Sequence, residues 1–404
     1  LFKLKEGVNF SRRNTFRYFE DYHLGATQRL GKIGRFETGS IIKGESCPMT
    51  ATVYFAKTPD GTPAADHAEA IGSVLQATGF HQQLHKLDMV AIKVHVGEKN
   101  NVTHIQPELV AEIVTSLNSL NTQPFLTDTS TLYKGERENG IKHALHADRH
   151  GYTIAKTGAP FIPVDGLSGT DETEVRVNGI LHAEVKVAGQ ILLADALVVL
   201  SHATGHMGSG IGAAIKNVGM GLASRAGKLR QHSAITPEVD IEACEDCGKC
   251  RKWCPTEAID AREGTSYIRQ DDCIGCGECI AICRFGAIKF DWAVESADMQ
   301  KRMSEYAAGV IRHFSEKAVY INVLVNMTKD CDCLNKKQEK IMPDIGILAS
   351  TDIVAIDQAT LDLTANSDGQ NLSQRSYPKL DPAVQIVHAE KMGLGTRGYQ
   401  LIEV

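Results

Sequence analysis

Short, nearly continuous apolar runs alternate along this chain with longer stretches in which apolar residues return every three or four positions. The first kind predicts buried strands and the second amphipathic helices, because side chains alternate across a strand but share a helix face about every 3.6 residues. TVYFAK (52–57) predicts a strand, HAEAIGSVLQAT (67–78) a helix, and DMVAIKVHVG (88–97) a buried strand with a polar exit. PELVAEIVTSLNSL opens a helix at Pro107, whose fixed φ and missing N–H suit a first turn. PFLTD (124–128) predicts a strand, and the stretch 129–151 after it is expected to be mostly helical. ADALVVLSH (194–202) is another buried strand. Further on, SADMQKRMSEYAAGVIRHF (296–314) predicts a helix, AVYINVLVNM (318–327) and IGILAS (345–350) strands, and DIVAIDQATLDLTAN (352–366) a helix. β-rich runs between helical stretches give an α/β fold, a mostly parallel sheet with helices on both faces.

The cysteines interrupt this pattern. Eight of the eleven fall in two near-copies 29 residues apart, CEDCGKCRKWCP from Cys244 and CIGCGECIAICR from Cys273. Three thiolates spaced by two residues can reach three corners of one iron–sulfur cubane. The fourth of each run ligates the other cluster in two-cluster ferredoxins. The expectation is two [4Fe–4S] clusters, the first on Cys244, Cys247, Cys250 and Cys283, the second on Cys273, Cys276, Cys279 and Cys254. Zinc patterns lack the third closely spaced cysteine, and a disulfide framework suits small secreted chains. Arg284 stands where the first repeat has Pro255, and its charge is expected to raise that cluster's potential slightly.

The expected organisation is therefore an α/β domain over 49–237 and 293–404, interrupted at 238–292 by an inserted α+β two-cluster ferredoxin-like module. Two separate α/β domains flanking the module are the alternative. Residues 1–48 are expected to be a flexible extension or not natural coding sequence, with a docked arm as the alternative. The 404 residues carry a formal charge of −6, which argues against non-specific nucleic-acid binding. No apolar run approaches the roughly 18 residues of a membrane span, and no apolar core of a secretory signal follows the basic N-terminus. A cytoplasmic location is the expectation, in an anaerobic or well-reduced cell given the oxygen lability of such clusters.

Ligands of open α/β sheets sit outside the strands' carboxyl ends. Here those ends carry Lys93, His95 and Glu98, then Thr127, Asp128 and Thr129, then Ser201, His202 and His206. A single histidine at a strand end is commonly structural, so the convergence is the signal. Lys93, His95, Asp128, His202 and His206 are the candidate catalytic residues. The segment 208–232 holds six glycines with Lys216, Asn217, Arg225, Lys228 and His232. It matches neither phosphate-loop nor dinucleotide fingerprint. It is expected to be an anion-holding loop, with a structural linker as the alternative. Cys331 and Cys333, flanking Asp332 after a strand, point the same way on extended backbone. They are candidates for a third metal site, a redox dithiol, or two inert thiols, and Asp344 and Asp352 lie nearby in sequence.

VAIKVHVGEKNN, PFLTDTSTLYKGERENG, SHATGHMGSGIGAAIKNVGMGLASRAGKLRQHS, the eight-cysteine module, CDC and DIGILASTDIVAIDQATLDL occur in that order. Together they resemble the ferredoxin-containing branch of domain-of-unknown-function family 362, from residue 49 to the C-terminus. The family pattern usually has proline where Ile353 stands, a position expected to shape a turn. The resemblance implies an iron–sulfur protein of an anaerobe and names no substrate. A shorter likeness, a histidine strand end followed by a glycine-rich, lysine-containing loop, is to the N-terminal domain of nickel-dependent lactate racemases.

Three functions follow as expectations. The first is a redox enzyme passing electrons through the clusters to a small anionic reactant or metal centre at the strand ends, with a redox partner protein. The second is a non-catalytic carrier or redox sensor docking to an oxidoreductase. The third is a racemase-like enzyme on a hydroxy acid. No motif demands a nicotinamide or a flavin.

Overall fold

The computed structural model describes residues 50–232, 237–254, 256–273, 278–289 and 296–404, so Cys47, Pro255, Cys276 and the segment 1–48 lie outside it. Among the described residues, the central sheet has seven strands: β1 (Ala51–Lys57), β2 (Met89–Lys93), β3 (Gln123–Thr127), β4 (Ala196–His202), β5 (Ala318–Leu324), β6 (Gly346–Ser350) and β7 (Tyr399–Glu403). Their order is β7-β1-β6-β5-β4-β2-β3. Every pairing is parallel except the two made by β6, which runs against β1 and β5. The protein is α/β with a mostly parallel sheet.

Alternation along the central strands explains the two layers of helices. Val90, Ile92, Val198, Leu200, Val319 and Ile321 face one side, against Ile71 and Val74 of α1 (Ala64–Ala77) and Ile113 and Leu117 of α2 (Pro107–Ser119). Their neighbours Ala91, Leu197, Val199 and Tyr320 face the other. There they meet Ile215 and Val218 of α4 (Ala214–Gly219), Tyr306 of α6 (Ser296–Phe314) and Val354 of α7 (Ile353–Asp368). Fully burying one such large side chain contributes about 1.5–3 kcal/mol. Strands buried on both faces are therefore apolar throughout.

Four expectations need correcting. The stretch 129–151 is helical only in α3 (Gly140–Arg149), whose N-cap Asn139 accepts from the Lys142 N–H. Before it, Asp165 accepts from the Ser130 N–H and holds the chain irregular. The glycine-rich segment is not an open loop. It forms a short hairpin (Thr204–His206 with Gly210–Gly212), then α4 and α5 (Arg225–His232). Its glycines serve packing: a Cβ on Gly219 would stand 2.1 Å from the Met303 carbonyl oxygen of α6. Ile353 is the first residue of α7, capped by the Asp352 side chain. Proline is favoured at that position too, so isoleucine preserves the helix start. Finally, because β6 is antiparallel, Asp352 leaves at the opposite sheet edge from the Cys331 segment, and only Asp344 shares that edge.

Between α5 and α6 the cysteine-rich stretch folds on itself. Ile259–Arg262 pairs with Thr265–Ile268, and Val239 pairs with Ile288. Short helices span Lys249–Trp253 and Glu278–Ile282. Its apolar centre, including Ile259, Ile268, Ile280 and Ile288, closes on Leu132 beyond β3 and Leu229 of α5.

Candidate functional site

The carboxyl ends of β2 and β3 meet in a buried ion network. Lys93 Nζ lies 3.1 Å from Asp128 Oδ1 and donates to Asn217 Oδ1 of α4 at 2.7 Å. Asp128 Oδ2 is 3.5 Å from Arg137 and 3.7 Å from His143. Arg137 continues to Glu98 at 3.1 Å and to the Tyr133 hydroxyl at 2.5 Å. Burial pulls the Lys93 pKa down, against the pull of Asp128. Burial alone would raise Asp128, but Lys93, His143 and Arg137 hold it below the usual carboxylate range. Buried charges persist when each is paired and hydrogen-bonded.

A second buried pair stands beside it. Lys228 Nζ donates to Thr129 Oγ1 and to the Ser130 carbonyl at 2.7 Å, and burial lowers its pKa to about 8. Asp165, which holds Ser130, is raised by burial to about 6. Of the glycine-rich residues, Lys216 and Asn217 reach the network from α4 and Lys228 from α5. Arg225 packs its methylenes beside Gly169, within electrostatic reach of Asp165, Glu138 and Cys283. Burial lowers His232 to about 3.

The histidines divide. His202 of β4 gives Nδ1 to Asp332 at 2.8 Å and Nε2 to the Val325 carbonyl at 2.9 Å. Two acceptors at two ring nitrogens describe a pinned imidazolium. Burial opposes that charge, but Asp332 outweighs it and raises the pKa. His206 sits at its hairpin tip, where Nδ1 accepts from Ser209 Oγ at 2.7 Å and the Ser209 N–H at 3.1 Å. His95, half-buried, accepts the Gly97 N–H on Nδ1 at 3.1 Å, and burial beside Arg137, Lys93 and Lys216 holds it neutral.

Cys331 and Cys333 join the same edge through β5. Lys216 Nζ stands 3.2 Å from Cys331 Sγ, and the Cys333 N–H donates to that sulfur at 3.3 Å. The Cys333 side chain beside it and the Lys216 cation favour a Cys331 thiolate despite burial. The neighbouring Cys331, with burial, raises the Cys333 pKa. Asp332, between them, accepts from His202, Asn101 and Thr103 and so fixes the turn. Among the described residues, no three His, Cys, Asp or Glu side chains are close enough to hold one metal ion. Both cysteines are free thiols.

Arg137, Tyr133, His143 and Asp165 were not singled out from the sequence. The GERENG stretch bearing Arg137 lies in the segment expected to be mostly helical, and Asp165 stands isolated in an irregular segment. Only the tertiary fold gives them partners.

In the cysteine-rich stretch, Cys244, Cys247, Cys250 and Cys283 line one cavity, closed beneath by Ala287 and Ile288. The two repeats share a local device: the Ala258 N–H donates to Cys254 Sγ at 3.2 Å and the Ala287 N–H to Cys283 Sγ at 3.3 Å. Such N–H bonds favour ligating thiolates. Four cysteines around one cavity are the donor set a ferredoxin-type cluster takes. Cys276 lies outside the described residues. The stretch touches the strand-end site through two adjacent residues: the Tyr133 hydroxyl donates to the Cys333 carbonyl at 3.0 Å, and Lys134 Nζ donates to the Phe285 carbonyl at 2.7 Å.

An α/β sheet with a polar strand-end cluster and an inserted ferredoxin module defines the class. The family model described as domain of unknown function DUF362 matches residues 90–362, and the chain belongs to that family. The chain is 45% identical over 47 residues to an uncharacterised ferredoxin of Methanocaldococcus jannaschii, covering 11% of this chain and 28% of that one. The chain is also 33% identical over 81 residues to the pyruvate synthase subunit PorD of Methanothermobacter marburgensis, covering 20% of this chain and 93% of that one. The chain thus spans under a third of the first relative's length and nearly all of PorD. It carries a ferredoxin-type iron–sulfur module of the kind used in electron transfer. The lactate racemase apoprotein of Thermoanaerobacterium thermosaccharolyticum is similar at 11% identity and a TM-score of 0.33, over 68% of this chain and 50% of that one. Among the described residues no helix is long and apolar enough to cross a membrane.

Proposed function

We propose that the protein is an iron–sulfur oxidoreductase in which single electrons pass between the ferredoxin module and a small anionic reactant at the strand ends. The observation that carries this reading is the pair of neighbours Tyr133 and Lys134, one bonded to the Cys333 segment and the other to the Phe285 carbonyl, two residues past Cys283. Cys244, Cys247, Cys250 and Cys283 would hold one [4Fe–4S] cluster and Cys273, Cys276, Cys279 and Cys254 a second. Bound clusters supply one-electron transfer. Lys216, half-buried at the edge of the network, is the handle for an anionic group, and His95 is the group that exchanges a proton with the reactant.

A redox partner protein would meet the module where Cys247 is exposed and Trp253 keeps 45% of its surface in solvent. That exposed rim also favours a second reading, a carrier whose electrons enter and leave there alone. PorD, named as a subunit of pyruvate synthase, supports such a partner for either reading.

The test mixes anaerobically reduced protein, freed of reductant, with small disulfides and 2-oxo acids, following cluster absorbance. The expected result is saturable re-oxidation by at least one of them, lost in Lys93→Met, whose iron content is unchanged. Re-oxidation by protein acceptors alone, indifferent to Lys93, would leave the carrier.

A further inference from the structure

We propose that Cys331 and Cys333 form a redox-active dithiol whose substrate is a small organic disulfide, a reading that rests on the oxidoreductase function above. Four observations carry it. Lys216 Nζ lies 3.2 Å from Cys331 Sγ, where a cation stabilises the nucleophilic form of a thiol. The Cys333 N–H donates to that sulfur at 3.3 Å, so the second cysteine is held against the first. Both are free thiols. Cys331 is only 7% exposed while Cys333 is half-buried, so the approach is narrow, suited to a small flexible molecule rather than a folded protein surface.

The chemistry balances with these groups. Cys331 thiolate attacks one sulfur of R–S–S–R′, the substrate S–S bond breaks, and R′–S⁻ leaves. The proton of Cys333 passes to that departing thiolate. Cys333 sulfur then attacks Cys331 of the mixed disulfide, forming the Cys331–Cys333 bond and releasing R–S⁻, which takes a proton from solvent. Returning the protein disulfide to thiolate and thiol takes two electrons and one proton, the electrons coming from one-electron iron–sulfur donors. The net reaction is R–S–S–R′ plus two electrons and two protons giving R–SH and R′–SH. Lys216 holds the attacking thiolate, and Asp332, tied to His202, Asn101 and Thr103, keeps both sulfurs on one side of the turn.

The test reads the thiols directly. Reduced, desalted holoprotein is treated anaerobically with oxidised glutathione or with hydroxyethyl disulfide, quenched in acid, alkylated and digested with trypsin. The peptide 330–336, freed by cleavage after Lys329 and Lys336, is then weighed. The expected result is an unalkylated peptide lighter by two hydrogens, formed with either probe and faster with the anionic one. In Cys333→Ser the same peptide is expected to carry one trapped glutathione. Lys216→Met is expected to slow the reaction at neutral pH roughly tenfold and to shift its pH profile upward, as loss of a thiolate-stabilising cation does. A doubly alkylated wild-type peptide after either probe overturns the proposal. If the clusters are nonetheless re-oxidised by another reactant, the disulfide substrate falls and the oxidoreductase reading stands.

Discussion

Lys134 donates from Nζ to the carbonyl oxygen of Phe285 at 2.7 Å, joining the loop after β3 to the cysteine-rich stretch. Its neighbour Tyr133 donates to the carbonyl of Cys333. Two adjacent side chains thus fix the spacing between a candidate cluster ligand and a candidate dithiol. The contact explains why a segment of mixed polarity takes irregular backbone rather than the helix its composition suggests.

Lys134→Ala is expected to keep full iron content and to slow re-oxidation of the reduced module by a strand-end reactant about fivefold, the factor matching a hydrogen bond of ~1 kcal/mol. Stopped-flow absorbance measures it. An unchanged rate would mean that electrons do not cross there.

Lys93→Met strips the buried Asp128 of its ammonium while leaving the carboxylate in place. Breaking one side of a buried pair costs about 3–5 kcal/mol, partly offset here because Arg137 remains 3.5 Å from Asp128. Urea unfolding is expected to show a loss of about 2–4 kcal/mol on that reasoning, and Lys93→Met with Asp128→Asn is expected to lose less than the two single changes summed.

Gly219→Ala forces a methyl group to within 2.1 Å of the Met303 carbonyl oxygen, so α4 and α6 must separate. Overpacking of this kind costs about 1–3 kcal/mol. The control is Gly398→Ala, whose nearest neighbour would be 3.7 Å away and whose effect is expected within about 0.5 kcal/mol. Calorimetric midpoints separate the two.

Glu305 ties α6 to its surroundings, accepting from the Leu181 and His182 N–H groups, from His182 Nδ1 at 2.8 Å and from His388 Nε2 at 3.2 Å. Burial opposes its charge, but these bonds prevail and hold its pKa below the ordinary 4.5. A carboxylate with a depressed folded pKa stabilises the fold above its unfolded pKa, and that stability is lost as pH falls through the folded value. The difference in melting temperature between wild type and Glu305→Gln is therefore expected to be constant above about pH 5 and to shrink below it. A difference that grows in acid would contradict this assignment.

Much of the sheet was legible because its strands are buried on both faces. Val198 and Leu200 serve one layer and Leu197 and Val199 the other, so the run reads as continuous apolar sequence. β7, half-exposed at the sheet edge, carries no such signal and was not foreseen. Nor was the direction of β6, because an apolar run does not encode orientation and Asp352 caps α7 at either sheet edge. At the site, strand-end position pointed to Lys93 and Asp128, and CDC marked itself by its spacing. Arg137 and Tyr133 stayed hidden because their partners, Asp128, Glu98 and Cys333, come from three separate segments. The glycines of α4 and α5 misled for a physical reason: close helix packing and anion cradling both demand a missing Cβ.

The most direct measurement is coulometry under anaerobic conditions, counting the electrons taken up by the fully oxidised holoprotein and by its Cys331→Ser, Cys333→Ser variant. Two clusters accept one electron each and a dithiol centre two more. The expected result is about four electrons for the wild type and about two for the variant, with the same iron content and the same reduced-cluster EPR signals. About two electrons in both would contradict a redox centre at the strand ends and leave the ferredoxin module as the protein's only electron store.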